Sequence, residues 1–378
     1  MLVRHHLAPE ARAADVVEVA RDLVGFHSSD AVSVYLAAWA RVDGFEASAL
    51  EQALYEDRSL IRILGMRRTM FVVPTDLAPI LHSAASLPLA ARERKRLLQM
   101  IEAAGITDRA QPWIDEVERQ TLEELAARGE ATGAELSAAV PGLRERMLFG
   151  QGKKWEGAVS VTTRLLFTLA SEGRIVRGRP RGSWTSTQYR WALMDAWLPG
   201  GLPEMQLPAA RTELVGRWLK RFGPGTRADM RWWTGWTAAE VDRALLALEA
   251  VEVGLDGGTG YVLPDDLEPM AVPTPGAVFL PALDSTVMGW TERGWYLGAH
   301  GPRLFDRSGN AGPTVWWDGR VIGGWAQRRD GRVVLQLLED AGVEARVAAE
   351  EEADRLERWL GPVRFIPRFR TPLEVELS

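Results

Sequence analysis

The sequence predicts an α+β protein built from three tandem winged-helix domains and a C-terminal antiparallel, β-barrel-like domain. Two patterns lead there. A set of helices followed by a two-stranded hairpin occurs three times before Pro264. After Pro264 the chain changes to short β-rich runs separated by turn dipeptides. The composition agrees: the 378 residues are 46% hydrophobic and 25% charged, as expected of a globular chain with several cores.

In the first set, helices are predicted over 9–27, from 29 or 30 to 41, and over 47–55. Strands follow at 60–64 and 69–73, joined through Gly65, Met66, Arg67 and Arg68 and ended by Pro74. In the second, a helix spans 113–127. Thr132 then caps 133–140, with Glu135 at the capping-box position. A third helix covers 158–171, and Gly173 stops it. A hairpin of 174–177 and 187–193 carries a long tip. In the third set, helices over 214–221, 226–232 and 238–250 precede strands at 251–255 and 261–263, turned by Asp256 and Gly257. The last region reads as strands at 278–280, 295–297, 314–317, 321–325 and 333–337, a helix over 344–360, and a strand near Leu373. The predicted domains are 1–105, 106–205, 206–270 and 271–378. A winged helix places its third helix in a major groove and its hairpin against the backbone or minor groove.

The chain has no cysteine, which excludes disulfides, thiolate metal sites and a cysteine nucleophile. The N-terminus lacks the apolar run of a signal peptide, and no apolar stretch reaches the roughly 20 residues a bilayer span needs. A cytoplasmic protein without a membrane partner is expected. The net charge of -6 argues against nucleic acid, but the basic residues cluster and all but Lys95, Lys153, Lys154 and Lys220 are arginines. Arginine's planar fork suits phosphate and base edges. Candidate DNA contacts are Arg67 and Arg68 in the first wing, then Lys153 and Lys154. The 177–191 segment adds Arg177, Arg179, Arg181, Trp184 and Gln188, where cations mix with aromatics. Tyr189 and Trp191 read rather as the buried face of a strand, and Trp232, Trp233 and Trp236 as core. His5, His6, His82 and His300 lack metal-ligand spacing, and no phosphate loop ends in Gly-Lys-Ser/Thr. Neither a metal nor a cofactor is therefore expected.

Five segments together resemble the winged-helix DNA glycosylase family of AlkZ and YcaQ. They are Gly25-Phe26-His27-Ser28-Ser29-Asp30, Met66-Arg67-Arg68-Thr69-Met70-Phe71-Val72-Val73-Pro74, Phe222-Gly223-Pro224-Gly225-Thr226, Leu280-Pro281-Ala282-Leu283-Asp284, and residues 309–319. The resemblance implies three winged helices and a C-terminal barrel around a DNA-binding concavity. It also implies hydrolysis of the N-glycosidic bond of alkylated purines, in some members cross-linked or bulky adducts removed as self-resistance to a natural product. The family's catalytic motif is Gln or His, one residue, then a polar residue. Here His27 and Ser29 hold those positions, where the best-known members have Gln first.

An N7-alkylated guanine is already cationic and needs no general acid to depart. His27 could take a proton from the attacking water, since an imidazole titrates at about 6.5. The Ser29 hydroxyl could hold that water. Asp30 could add negative charge beside the electron-poor sugar, or simply cap the next helix. No lysine lies near His27 in sequence, so a monofunctional reaction without a Schiff base is expected. A bulky adduct is hard to flip into a pocket, and an open surface suits it better. The expected partner is duplex DNA carrying alkyl adducts, bound by a monomer. The alternatives are a non-catalytic winged-helix DNA-binding protein, such as a transcriptional regulator, and a protein-interaction module.

Overall fold

The computed structural model describes all residues except 151 and 153–155; Lys153 and Lys154 thus lie outside the described residues. The protein is α+β, with helices and antiparallel strands throughout. In chain order come α1 (Val16–Asp22), β1 (Phe26–His27), α2 (Ala31–Trp39), α3 (Ala47–Glu51), β2 (Leu60–Leu64) and β3 (Met70–Pro74). Next are α4 (Ala78–Leu81), α5 (Leu87–Ala103), α6 (Ala110–Arg128), β4 (Glu130–Thr132), α7 (Gly133–Ala139), β5 (Arg146–Phe149), β6 (Gly157–Ser160) and α8 (Val161–Ser171). Then follow β7 (Ile175–Pro180), β8 (Tyr189–Leu193), α9 (Met194–Trp197), α10 (Leu207–Phe222), α11 (Arg227–Thr234), α12 (Ala238–Ala247), β9 (Val251–Leu255) and β10 (Gly258–Val262). The last region holds β11 (Ala277–Leu280), α13 (Gly294–Leu297), α14 (Gly301–Leu304), β12 (Thr314–Trp317), β13 (Arg320–Gln327), β14 (Val333–Leu337), α15 (Gly342–Leu360) and α16 (Pro372–Leu377).

Two compact units result: residues 1–53, 71–74 and 211–378 form one, and residues 54–70 and 75–210 the other. In the second unit β4, β8 and β7 make an antiparallel sheet, with Ala131 opposite Trp191 and Val176 opposite Ala192. The helices α5, α6, α7 and α8 bury Leu97, Ile114, Leu125, Leu136, Leu165 and Leu169 in its core. These positions recur at helical spacing, so burial of one apolar stripe per helix holds the unit together. Thr132 caps α7 with Glu135 in a reciprocal capping box, as its sequence predicts.

The first unit carries the antiparallel sheet β11-β12-β13-β14. Its turns, Asp318-Gly319 and Asp330-Gly331, place Gly319 at φ 79 and Gly331 at φ 102, a region that suits glycine. The expected barrel does not close: four strands leave β11 and β14 as the two edges, and α15 packs across the sheet instead. Aromatic rings fill the core. Trp218 stacks on Phe222 at 5.6 Å, and Tyr296 on Trp316 at 5.2 Å. Trp233 and Trp236 are buried and Trp232 half-buried, in keeping with a core role.

Four local expectations are corrected. The helix expected over 9–27 is confined to α1, with a helical turn at Pro9–Ala11 before it and β1 at Phe26–His27 after it. Residues 295–297 form the helical turn α13 rather than a strand, because Leu297 N–H bonds to Arg293 O at 2.9 Å. The segment around Leu373 is α16, with Pro372 at its first position, where the missing N–H costs nothing. Residues 158–160 pair with β5 as β6, and α8 begins only after Ser160 caps it. Short apolar runs fit a strand or a helix equally by periodicity, and tertiary pairing decides.

Candidate active site

The His27 segment is shaped from its backbone outward. Val24 at φ 54 and Gly25 at φ 106 turn the chain sharply out of α1 into β1. A Cβ on Gly25 would stand 2.7 Å from Val73 Cγ1 and 3.2 Å from Val72 O, so only glycine fits between α1 and β3. β1 then pairs antiparallel with β3, Phe26 opposite Val72 and His27 opposite Phe71. Ser285 supplies a clasp from far along the chain. Its hydroxyl donates to Gly25 O at 2.9 Å and accepts the His27 N–H at 3.1 Å. The His27 ring meets Phe71 edge-on, centroids 5.5 Å apart, and the residue is 9% exposed. Ser28 is buried and Ser29 half-buried.

Asp30 begins α2. One carboxylate oxygen accepts the Val32 N–H at 3.0 Å as the helix cap, and the other accepts the Arg368 N–H at 2.7 Å. Arg368 also reaches the Ser29 carbonyl at 3.4 Å. Both Asp30 oxygens therefore hold backbone, which stabilises the turn that presents Ser29.

Beneath this turn lies a fully buried ion pair. Arg41 contacts Asp284 through two bonds of 2.7 and 2.9 Å, with both side chains at 0% exposure. The remaining Arg41 donors reach His5 O, Ala37 O and Thr286 Oγ1. Such saturation is what makes a buried pair tolerable. It fixes the 280–285 segment that delivers Ser285, with Leu283 held at φ 60. His5 completes the network: Thr286 Oγ1 lies 2.8 Å from its Nδ1, and Arg221 O lies 3.1 Å from its Nε2. Burial, joined by neighbouring cations, pushes the His5 pKa well below the usual imidazole range, so the ring is neutral. A neutral ring donating from Nε2 to the carbonyl and accepting at Nδ1 satisfies both contacts.

The candidate DNA contacts that are described lie in the other unit. Arg67 and Arg68 occupy the turn after β2, at φ 53 and 66, where Gly65 N–H bonds to Thr69 O at 2.8 Å. Arg68 pairs with Glu93 at 3.1 Å and lies over the Phe167 ring. Glu93 also pairs with Arg164, so two cations share one buried carboxylate. Arg177 lies over Tyr189 and Trp191, 5.6 and 5.2 Å from their centroids. It lines a cleft of about 510 Å³ with Ser137, Ser160, Thr163, Phe167 and Trp191. Arg179 bonds to Glu56 at 2.7 Å and covers Tyr55. Arg181 and Gln188 are exposed at the hairpin tip, where the Arg181 N–H donates to Gln188 O, and Trp184 is half-buried. Trp191 is buried at 9% exposure and Tyr189 half-buried, so that strand face serves packing.

Sequence reasoning did not find Ser285, Arg41 or Arg368 as parts of the His27 site. The Leu280 to Asp284 motif marked the neighbourhood of Ser285, but nothing local ties it to His27. Among the described residues, His6, Glu18 and Asp22 bring ligand atoms within 4.8 Å of one another. His6 and Asp22 already bond each other at 2.7 Å, and Arg221 takes the second Asp22 oxygen, which leaves the group closed by its own contacts.

A family model described as DNA glycosylase AlkZ-like matches residues 20–359. The chain belongs to this AlkZ-like DNA glycosylase family. The matched range takes in β1, the Ser285 clasp and both candidate contact regions, so the geometry above is that of an AlkZ-like protein across nearly its full length. The chain is also similar to the solved structure of Streptomyces sahachiroi DNA glycosylase AlkZ. The two are 21% identical, the likeness covers 97% of each chain, and the TM-score is 0.71, which indicates a shared fold. No curated protein matches in sequence. No helix among the described residues of this AlkZ-like protein is long and apolar enough to cross a membrane.

Proposed function

We propose that this protein is a cytoplasmic, monomeric, monofunctional DNA glycosylase. It hydrolyses the N-glycosidic bond of bulky or cross-linked N7-alkylguanine in duplex DNA, as repair and as self-resistance to a genotoxic natural product. The three helix–hairpin modules over 1–105, 106–205 and 206–270 act as winged helices in this reading, with 271–378 as the fourth domain. What supports the reading most is the Ser285 clasp. It fixes the backbone of His27 in a buried strand while Ser29, two residues on, stays partly accessible.

The chemistry follows from charge. The alkylated purine leaves with the electron pair of its bond to C1′, which neutralises its own positive charge. Water adds to C1′ of the electron-poor sugar, and its proton passes to the His27 imidazole. The Ser29 hydroxyl accepts a hydrogen bond from that water and keeps it beside the sugar. Asp30 acts through position, since both its oxygens hold backbone N–H groups. An amine-dependent lyase step has little to work with: Lys220 is the one lysine in the unit that carries His27. Arg67, Arg68, Arg177, Arg179, Arg181, Trp184 and Gln188, together with Lys153 and Lys154, are the proposed contacts to the duplex.

The test is release of modified guanine from alkylated duplex DNA carrying small or bulky adducts. His27→Ala is expected to lower the rate about 100- to 10,000-fold, the usual range for a lost general base. Ser29→Ala should lower it by a smaller factor while duplex binding persists. Equal, background-level release by wild type and His27→Ala on every adduct would refute the proposal.

A further inference from the structure

Residues 363–370 run as a strap outside any helix or strand past the His27 turn, with a bend at 368–369, in the same unit. Its exposure alternates. Val363, Phe365, Pro367 and Phe369 are half-buried, while Arg364, Ile366, Arg368 and Arg370 face solvent. The strap is tethered on both sides of Ile366. Gln327 accepts the Phe365 N–H at 3.2 Å and donates to Val363 O at 2.9 Å. Asp30, adjoining Ser29, accepts the Arg368 N–H at 2.7 Å.

Among the described residues, the two guanidinium groups of this edge meet carbonyls and a ring. Arg364 donates only to the carbonyls of Gly361, Val363 and Asp330. Arg368 meets the Ser29 carbonyl and the Phe369 ring. Among the described residues, neither guanidinium pairs with a carboxylate, unlike Arg370, which bonds to Glu374 at 2.5 Å. Between the two cations stands Ile366, 65% exposed. A solvent-facing row of cation, branched apolar side chain and cation on a tethered backbone has the chemistry of a groove-contacting edge. The cations meet phosphates, and the apolar group wedges against a base step.

We propose that this strap is a duplex-DNA-contacting edge of the active site: Arg368 binds a backbone phosphate beside the damaged nucleotide, and Ile366 presses into the adjoining base step. The inference rests on the proposed glycosylase reading and adds a contact that neither the winged-helix hairpins nor the His27 motif supplies. Asp30 then has a second task, holding Arg368 one residue from Ser29.

The experiment measures binding of an undamaged fluorescent duplex by anisotropy across a KCl series, with base release followed in parallel. Arg368→Ala is expected to weaken binding about tenfold at low salt and to lower the salt slope by about one. Arg368→Lys should retain the wild-type slope, and Arg368→Glu should lower it further. The Asp30 contact uses the backbone N–H, so each variant keeps the anchor, and an unchanged Tm verifies this. In a duplex carrying 2-aminopurine, wild type should raise the emission through unstacking, and Ile366→Ala should lose most of that rise at an unchanged salt slope. Wild-type affinity and slope in Arg368→Ala, with normal base release, would overturn the strap and leave the glycosylase reading standing. No duplex binding by wild type at low salt would overturn both.

Discussion

At the position of Gly25 the backbone takes a φ of 106, and the space for a side chain is already filled by Val73 and Val72. Gly25→Ala is expected to cost about 2–3 kcal/mol through strain and crowding. It should also lower base release more than its folded fraction explains, because the same turn sets the His27 backbone. Urea unfolding beside the release assay would separate the two effects. Asp284 presents a different physics. Its removal strands the Arg41 guanidinium at 0% exposure, so Asp284→Ala should cost about 3–5 kcal/mol. Replacing both partners with apolar residues of similar volume should cost less than Asp284→Ala alone. Equal losses in a double-mutant cycle would contradict this account. The residues proposed for catalysis, His27, Ser29 and Asp30, were legible through the family resemblance, within one segment of four residues. Ser285 and Arg368 were not, since 258 and 338 residues separate them from the His27 N–H and Asp30 groups they engage.

The helix starts marked by a threonine cap were readable. Thr132 with Glu135 and Thr237 with Glu240 are local pairs, three residues apart, and both form capping boxes. Thr226 does the same with Asp229, whose other oxygen also accepts the Thr291 N–H at 2.8 Å. Thr226→Ala should therefore destabilise by about 1–2 kcal/mol, read as a lower urea midpoint at constant slope. Three of the misread elements share one cause. Residues 158–160, 295–297 and 372–377 are short, and their neighbours in space decided between strand and helix. Glycine-based hairpins at Asp318-Gly319 and Asp330-Gly331 were legible for the opposite reason: the turn is set by φ values that glycine alone adopts cheaply.

Across the molecule, two buried histidines link stability to acidity. Burial lowers the His82 pKa from 6.5 to about 4, and burial with nearby cations lowers that of His5 well below 6.5. In each case the unfolded chain takes up a proton that the folded one resists. The stability they contribute is thus present above about pH 6.5 and is lost as pH falls toward the folded values. For His82 the loss reaches roughly 3 kcal/mol near pH 4. Denaturation at pH 7.5, 6 and 5 should show falling stability, and His82→Asn should flatten the dependence over that window. A profile in His82→Asn as steep as in wild type would contradict this assignment.

Sequence by itself determined the α+β class, the capped helix starts and the turn dipeptides, because each rests on contacts within a few residues. Tertiary structure alone decided that 71–74 joins 1–53 and 211–378 in one unit and that the C-terminal sheet stays open under α15. It also decided that Ser285 and the Arg368 strap converge on the His27 turn. Those outcomes depend on burial and hydrogen bonds between residues hundreds of positions apart, and linear spacing carries no record of them.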